Sequence, residues 1–246
     1  MTAHPRRVLL APGYILHHRP YRDTSRILEV LVRDHGRLTL FARGVRGTKP
    51  RFGGVLQPFD LLLLSFQLGR EAGQLTGAES AESAPALPAG SLMAGFYLNE
   101  LLLKLTARHD PVPEVFEEYR RALTGLRAAG SLEAVLRVFE KRLLEAVGYG
   151  VDLTSEARTG RAVEAGKFYR FRANEGVYAV ETDGADAVAG SSLIELAREA
   201  LTAGRALEDA RRVLKAALAE RLEGEELTTR KVARALAGAR APRATR

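Results

Sequence analysis

The residues best suited to chemistry in this sequence are cations on glycine-rich loops. Between Phe41 and Gly54 the chain reads FARGVRGTKPRFGG, which sets Arg43, Arg46, Lys49 and Arg51 among four glycines with no acid between them. A folded core has little use for such a cluster. Neutralising phosphates does need this pattern: cationic donors on an exposed loop, with glycines that let backbone amides come close to an anion. Phe41 and Phe52 can offer ring faces to an unpaired base, although a barrel core has equal use for them. The loop lacks the G-x-x-x-x-G-K-[ST] spacing of a phosphate-binding P-loop. Upstream, Arg19-Pro-Tyr-Arg-Asp-Thr-Ser-Arg26 adds Arg19, Arg22 and Arg26 as candidates for the same ligand, and Arg37 adds one more. Tyr21 serves as core or contact residue with equal ease.

Catalytic chemistry is poorly served. There is no cysteine, which excludes disulfides, thiol nucleophiles and thiolate metal sites. The five histidines, His4, His17, His18, His35 and His109, never pair with a ligand at helical metal-site spacing. The hydroxyls of Thr24, Ser25 and Thr39 have no nearby histidine motif to act as base. Glu117-Glu118 and Glu223 to Glu226 read as solvated helix ends. The expectation is a binding protein without cofactor or metal, not an enzyme.

Charge is unevenly spread. Residues 1–59 carry eleven Lys/Arg against three Asp/Glu, residues 60–226 twenty against twenty-seven, and residues 227–246 six against none, within a total of +7. Two basic ends around an acidic middle fit a polyanion as partner. The longest apolar run, Leu61–Phe66, is strand length, and MTAHPRRVLLAPG has no signal-peptide pattern, so the expectation is a cytoplasmic, nucleoid-associated protein without a membrane partner.

The elements that must position these cations are short strands. Val8–His18, Ser25–Arg33, Arg37–Ala42, Asp60–Phe66 and Gln74–Ala78 make five in about eighty residues, with Asp34-His35-Gly36 as a hairpin turn. That count fits a small closed barrel of the OB type. Ala81–Gly90 turns to Ala, Ser, Pro and Gly and reads as a linker. Helical periodicity follows. Ser91 caps a first helix expected to bury Leu92, Phe96, Leu98, Leu101, Leu102 and Leu105 on most sides. A second helix opens at Pro113, and a third is capped by Ser131; together they are expected to form a bundle. Phe168–Arg172 and Val177–Glu181 form a hairpin, after which helices are expected at Ser192–Thr202, Leu207–Leu222 and Thr228–Ala237. The last would pack Val232 and Leu236 inward with Arg230, Lys231 and Arg234 in solvent, ahead of a frayed basic tail. It also resembles half of a helix-turn-helix, which keeps open an OB-fold RNA-binding or transcription-regulatory protein. The fold class is α+β and multi-domain: an OB barrel over 1–82, then an α-helical domain over 83–246 with a small β insertion.

A family resemblance sharpens this. Tyr21-Arg-Asp-Thr-Ser, Asp34-His-Gly-Arg37, Phe41-Ala-Arg-Gly-Val-Arg46 and Leu56-Gln-Pro-Phe59 resemble the N-terminal domain of the bacterial recombination mediators of the RecO family. The likeness continues through Phe96-Tyr-Leu-Asn-Glu-Leu-Leu102, Leu136-Arg-Val-Phe-Glu140 and Val147-Gly-Tyr-Gly-Val151. It implies binding of single- and double-stranded DNA, annealing of complementary strands, and help in loading RecA onto strands coated by the single-stranded DNA-binding protein SSB, with RecR as partner. It places the DNA region at the Arg43–Arg51 loop. It also places the SSB C-terminal tail at Arg137, with Leu136 and Phe139 in an apolar pocket beside it. Many relatives carry a four-cysteine zinc module after the helices, whereas this chain has a cysteine-free stretch at about 152–182.

Overall fold

The computed structural model describes residues 6–46, 49–69 and 71–240. The chain divides into two compact units, one running to Arg127 and rejoined by the segment from Val232, the other spanning Ala128–Lys231.

In the first unit five strands, β1 (Arg7–Tyr21), β2 (Ser25–Val32), β3 (Gly36–Ala42), β4 (Leu62–Gln67) and β5 (Gly73–Ser80), close a barrel in the order β1-β2-β3-β5-β4. β3 and β5 pair in parallel, and every other pairing is antiparallel, which is the OB arrangement. The strands send Ile15, Leu28, Val30, Leu40, Leu64 and Phe66 inward, all fully buried. β1 is longer than expected because it serves two partners: Arg7–Gly13 pairs with β4, Gly13–Tyr21 with β2. Gly13 stands at the change of partner, where a Cβ would lie 2.8 Å from Leu64 Cδ1 and 3.2 Å from the Leu31 carbonyl. Gly36 makes the β2–β3 turn at φ +68°, and a Cβ there would strike the Asp110 carbonyl oxygen at 2.2 Å.

Two helices, α1 (Leu92–Leu105) and α2 (Pro113–Arg127), cover one outer side of this barrel. A bulge between Ile15 and His17 leaves Leu16 out of the ladder, and its carbonyl accepts from Asn99 Nδ2 at 2.8 Å. Tyr119 in turn donates its hydroxyl to Asn99 Oδ1 at 2.5 Å. Tyr14 packs against the Phe116 and Tyr119 rings at 5.2 and 5.0 Å. Burial pushes the Tyr14 phenol up to about 12. Ser91 does not cap α1: its own backbone is already helical, and its buried hydroxyl donates to the Leu126 carbonyl at 3.0 Å. Leu98, Leu101 and Leu102 are fully buried, but Leu92 and Phe96 are exposed, so α1 has a solvent side.

The second unit holds α3 (Leu132–Ala146), a three-stranded sheet ordered β7-β6-β8, and helices α4 (Gly190–Arg198) and α5 (Arg205–Arg221). Ser131 caps α3 as expected, accepting from the Ala134 amide at 3.2 Å. The hairpin of β6 (Phe168–Arg172) and β7 (Gly176–Val180) gains a strand not anticipated, β8 (Val188–Ala189), too short to show a period in sequence. The helices expected to bundle are thus divided, α1 and α2 with the barrel and α3 with α5. α6 (Thr228–Arg240) follows, with Val232 exposed instead of packed; the basic tail from residue 241 lies outside the described residues. Among the described residues no helix is long and apolar enough to cross a membrane.

Candidate nucleic-acid interface

The β1–β2 turn and the β3–β4 loop meet at one end of the barrel. Both the Val45 and Arg46 amides donate to the Thr24 carbonyl, at 2.8 and 3.0 Å, and the Arg51 amide donates to the Gly44 carbonyl at 2.7 Å. These bonds tie both ends of the loop to the barrel. A single 3-10 turn at Arg51–Gly54 then leads to Leu56, which plugs the barrel core. A cleft of about 350 Å³ opens there, lined by Arg26, Arg46, Arg51, Val45, Leu56 and Gln57.

The guanidiniums at the cleft are held by neutral partners. Arg46 donates to the Arg22 carbonyl at 3.4 Å and Arg51 to the Thr76 carbonyl at 3.0 Å. Neither is joined to a carboxylate among the described residues, so each keeps its charge for an external anion. Arg51 also lies 4.8 Å from the Phe52 ring centre, and Arg22 5.3 Å from that of Tyr21. Tyr21 and Phe41 pack at 5.3 Å on the outer face of the barrel. Arg22 and Phe52 both hold left-handed backbone, at φ +52° and +69°, a conformation that costs a non-glycine residue about 1–2 kcal/mol.

Of the candidate cations, Arg26, Arg46 and Arg51 converge on the cleft, and Arg22 stands in the turn bonded to its loop. Arg43 and Lys49 are exposed on the same loop, which also contains the undescribed Gly47 and Thr48. Arg19 is exposed on β1, opposite Ile27 in the ladder, at the edge of this group. Arg37 is elsewhere. It points under the helices, donating to Glu29 at 3.3 Å and to the Thr106 carbonyl at 2.9 and 3.3 Å. Desolvation lowers its pKa, and Glu29 works against that shift. Its charge serves to tie β3 to the end of α1. His18, not among the candidates, sits beside Arg26. Burial first, then the Arg26 and His17 charges, lower its pKa. Strand alternation could have placed it at the barrel mouth.

Leu136, Arg137 and Phe139 lie on α3 in the second unit. Arg137 is buried, with only 7% of its side chain exposed, and donates to Glu140 at 2.6 Å. Its Nε has no hydrogen-bond partner among the described residues. Phe139 is buried and Leu136 half-buried.

Residues 7–84 match the profile of the recombination protein O N-terminal domain and residues 90–231 that of its C-terminal domain. The chain belongs to the RecO family. A DNA repair protein RecO from Methylococcus capsulatus is 41% identical over 230 residues, covering 94% of this chain and 95% of its own. One from Alkalilimnicola ehrlichii is 42% identical over 242 residues, with 97% and 95% covered. A third, from Nitrosococcus oceani, is 40% identical over 226 residues, with 91% and 92% covered. As a RecO family member the chain combines an OB barrel with a helical region holding a small sheet.

Proposed function

We propose that this chain is a recombination mediator in DNA repair that works by binding alone. In this reading the barrel of residues 1–82 binds single- and double-stranded DNA and anneals complementary strands. Within residues 83–246, the α3 segment takes the SSB tail, so that with RecR the protein helps RecA load onto SSB-coated strands. It would act in the cytoplasm at the nucleoid, without cofactor or covalent chemistry.

What carries the reading is the convergence of Arg26, Arg46 and Arg51 on one cleft with no carboxylate partner among the described residues, beside Tyr21, Phe41 and Phe52. Phosphates meet preformed donors there, and ring faces stand ready for unpaired bases. Arg43, Lys49, Arg22 and Arg19 extend the track. Arg37 has no part in it because Glu29 and Thr106 occupy its guanidinium. At α3, the terminal carboxylate of the SSB tail would have to displace Glu140 from Arg137, whose Nε is buried without a hydrogen-bond partner among the described residues.

Strand annealing of SSB-coated oligonucleotides tests the whole reading. Wild type is expected to anneal them, and Arg137→Ala to anneal bare strands while failing on coated ones. Failure of wild type on both would end the mediator reading. A strong preference for RNA, or for one duplex sequence, would instead favour an RNA-binding or transcriptional role.

A further inference from the structure

A second cationic and aromatic surface lies in the unit of residues 128–231. Between Ala157 and Arg172 the sequence carries five cations against one acid, inside an otherwise acid-rich middle. The structure sorts these residues by strand alternation. Tyr169 and Val177 turn to the buried side of the small sheet, whereas Arg170 and Arg172 are exposed on the other. Arg170 stands directly opposite Tyr178 in the ladder, and Phe168 opposite Val180. The Ala157 amide donates to the Val177 carbonyl at 2.8 Å, so the segment bearing Arg158 runs beside β7, and both Arg158 and Arg172 act electrostatically on the Tyr178 phenol.

Cations stack on rings at this face as they do at the barrel cleft, but here both stacking arginines are ion-paired, Arg172 to Glu175 and Arg205 to Asp183 and Asp209. Arg172 lies 5.8 Å from the Tyr178 ring centre and Arg205 5.3 Å from that of Phe168, so both rings already accept a cation. Arg158 and Arg170 have no ion-pair partner among the described residues. The Arg172–Glu175 pair, at 3.2 Å, is more than half exposed on both sides; such a pair is held weakly, and a phosphate can replace its carboxylate. Among the described residues Arg205 is held by Asp183 in two bonds and by Asp209 at 3.3 Å, and Glu156 accompanies Arg158 on the segment bridged to Val177.

We propose that the outward face of β6 and β7 is a second nucleic-acid surface, on which Tyr178 and Phe168 take unpaired bases while Arg158, Arg170 and Arg172 take phosphates. It rests on the reading of the chain as a DNA-binding protein and adds to it a place for a second strand. A protein that brings two strands together by binding alone gains from holding each on its own surface.

Native mass spectrometry with an oligothymidylate of about eight nucleotides, within the roughly 4 to 16 spanned by one OB fold, tests this. The full-length wild-type chain is expected to bind two strands. A variant with Arg170→Ala, Arg172→Ala and Tyr178→Ala is expected to bind one, as is a variant with Arg46→Ala and Arg51→Ala. Crosslinking of wild type to an iodouracil-substituted strand needs no variant and is expected to mark Tyr178 as well as the barrel. One strand on wild type, with crosslinks confined to the barrel, overturns the second surface and leaves the DNA-binding reading standing. No strand on wild type overturns both. If the sheet variant keeps two strands but loses an acidic peptide that wild type binds, the face belongs to a protein partner and the inference fails.

Discussion

Two regions of the same barrel use arginine in opposite ways. On the side beneath α1 and α2, Arg37 meets Glu29 and the Thr106 carbonyl, Arg108 also pairs with Glu29 at 2.9 Å, and Thr39 donates to the same carboxylate at 2.7 Å. At the mouth, the hydrogen bonds of Arg46 and Arg51 among the described residues go to backbone carbonyls. The first is a closed network in which one carboxylate holds two guanidiniums inside the fold. The second is pre-oriented but uncompensated, the condition for binding a polyanion. An arginine's availability is therefore decided by what the fold places opposite it, not by the strand that carries it.

The largest expected effect comes from breaking the open side. Replacing Arg43, Arg46, Lys49 and Arg51 with alanine is expected to lower affinity for single-stranded DNA by about a hundredfold or more. The slope of log affinity against log salt should shrink by about 0.7 for each phosphate that is no longer neutralised. A titration across salt concentrations measures both, and an unchanged slope would mean that the loop touches no phosphate. Next comes Asn99→Ala, which removes the donor to the Leu16 carbonyl and is expected to cost about 1–3 kcal/mol in a denaturant melt while leaving the salt slope intact. Arg37→Ala is expected to cost about 1–2 kcal/mol of stability and, again, nothing in the slope. A slope change there would place Arg37 on the DNA and erase the contrast between the two sides. The smallest effect is in pH. His18 and His35 have folded pKa values below the ordinary 6.5, both chiefly through burial. The unfolded chain therefore binds these protons more readily, so stability is full above pH 6.5 and declines as pH falls below it. His18→Gln should flatten part of that decline, read from melts on the acid side of the histidine range and again above neutrality.

The barrel was legible because five short apolar runs are punctuated by turns, β3 alternates cleanly, and Gly36 sits where a positive φ closes the hairpin. The loop was legible because four cations without an acid are rare in a folded core. What escaped the sequence depends on long-range partners. Arg37 looked as available as Arg46, since Glu29, which stands opposite Thr39, lies diagonally across the ladder from it. Ser91 looked like a cap, yet Leu126, thirty-five residues on, takes its hydroxyl. Asn99 was the readable clue left unread: a lone amide in an apolar helix calls for a buried partner. Arg137 and Glu140 show the opposite case, a pair written at i, i+3 spacing whose burial no local pattern disclosed.

β1 pairs early with its neighbour β2 and only some fifty residues later with β4. Closing the barrel must wait for that distant strand, and the loop entropy of the intervening chain is paid before the closing contacts return it. The nascent chain can thus form the β1–β2–β3 meander while the first half of β1 remains without an edge partner. Folding speed should then respond more to the β1–β4 contacts, such as Ala11 against Leu64, than to the β2–β3 hairpin, although both contribute to the finished barrel.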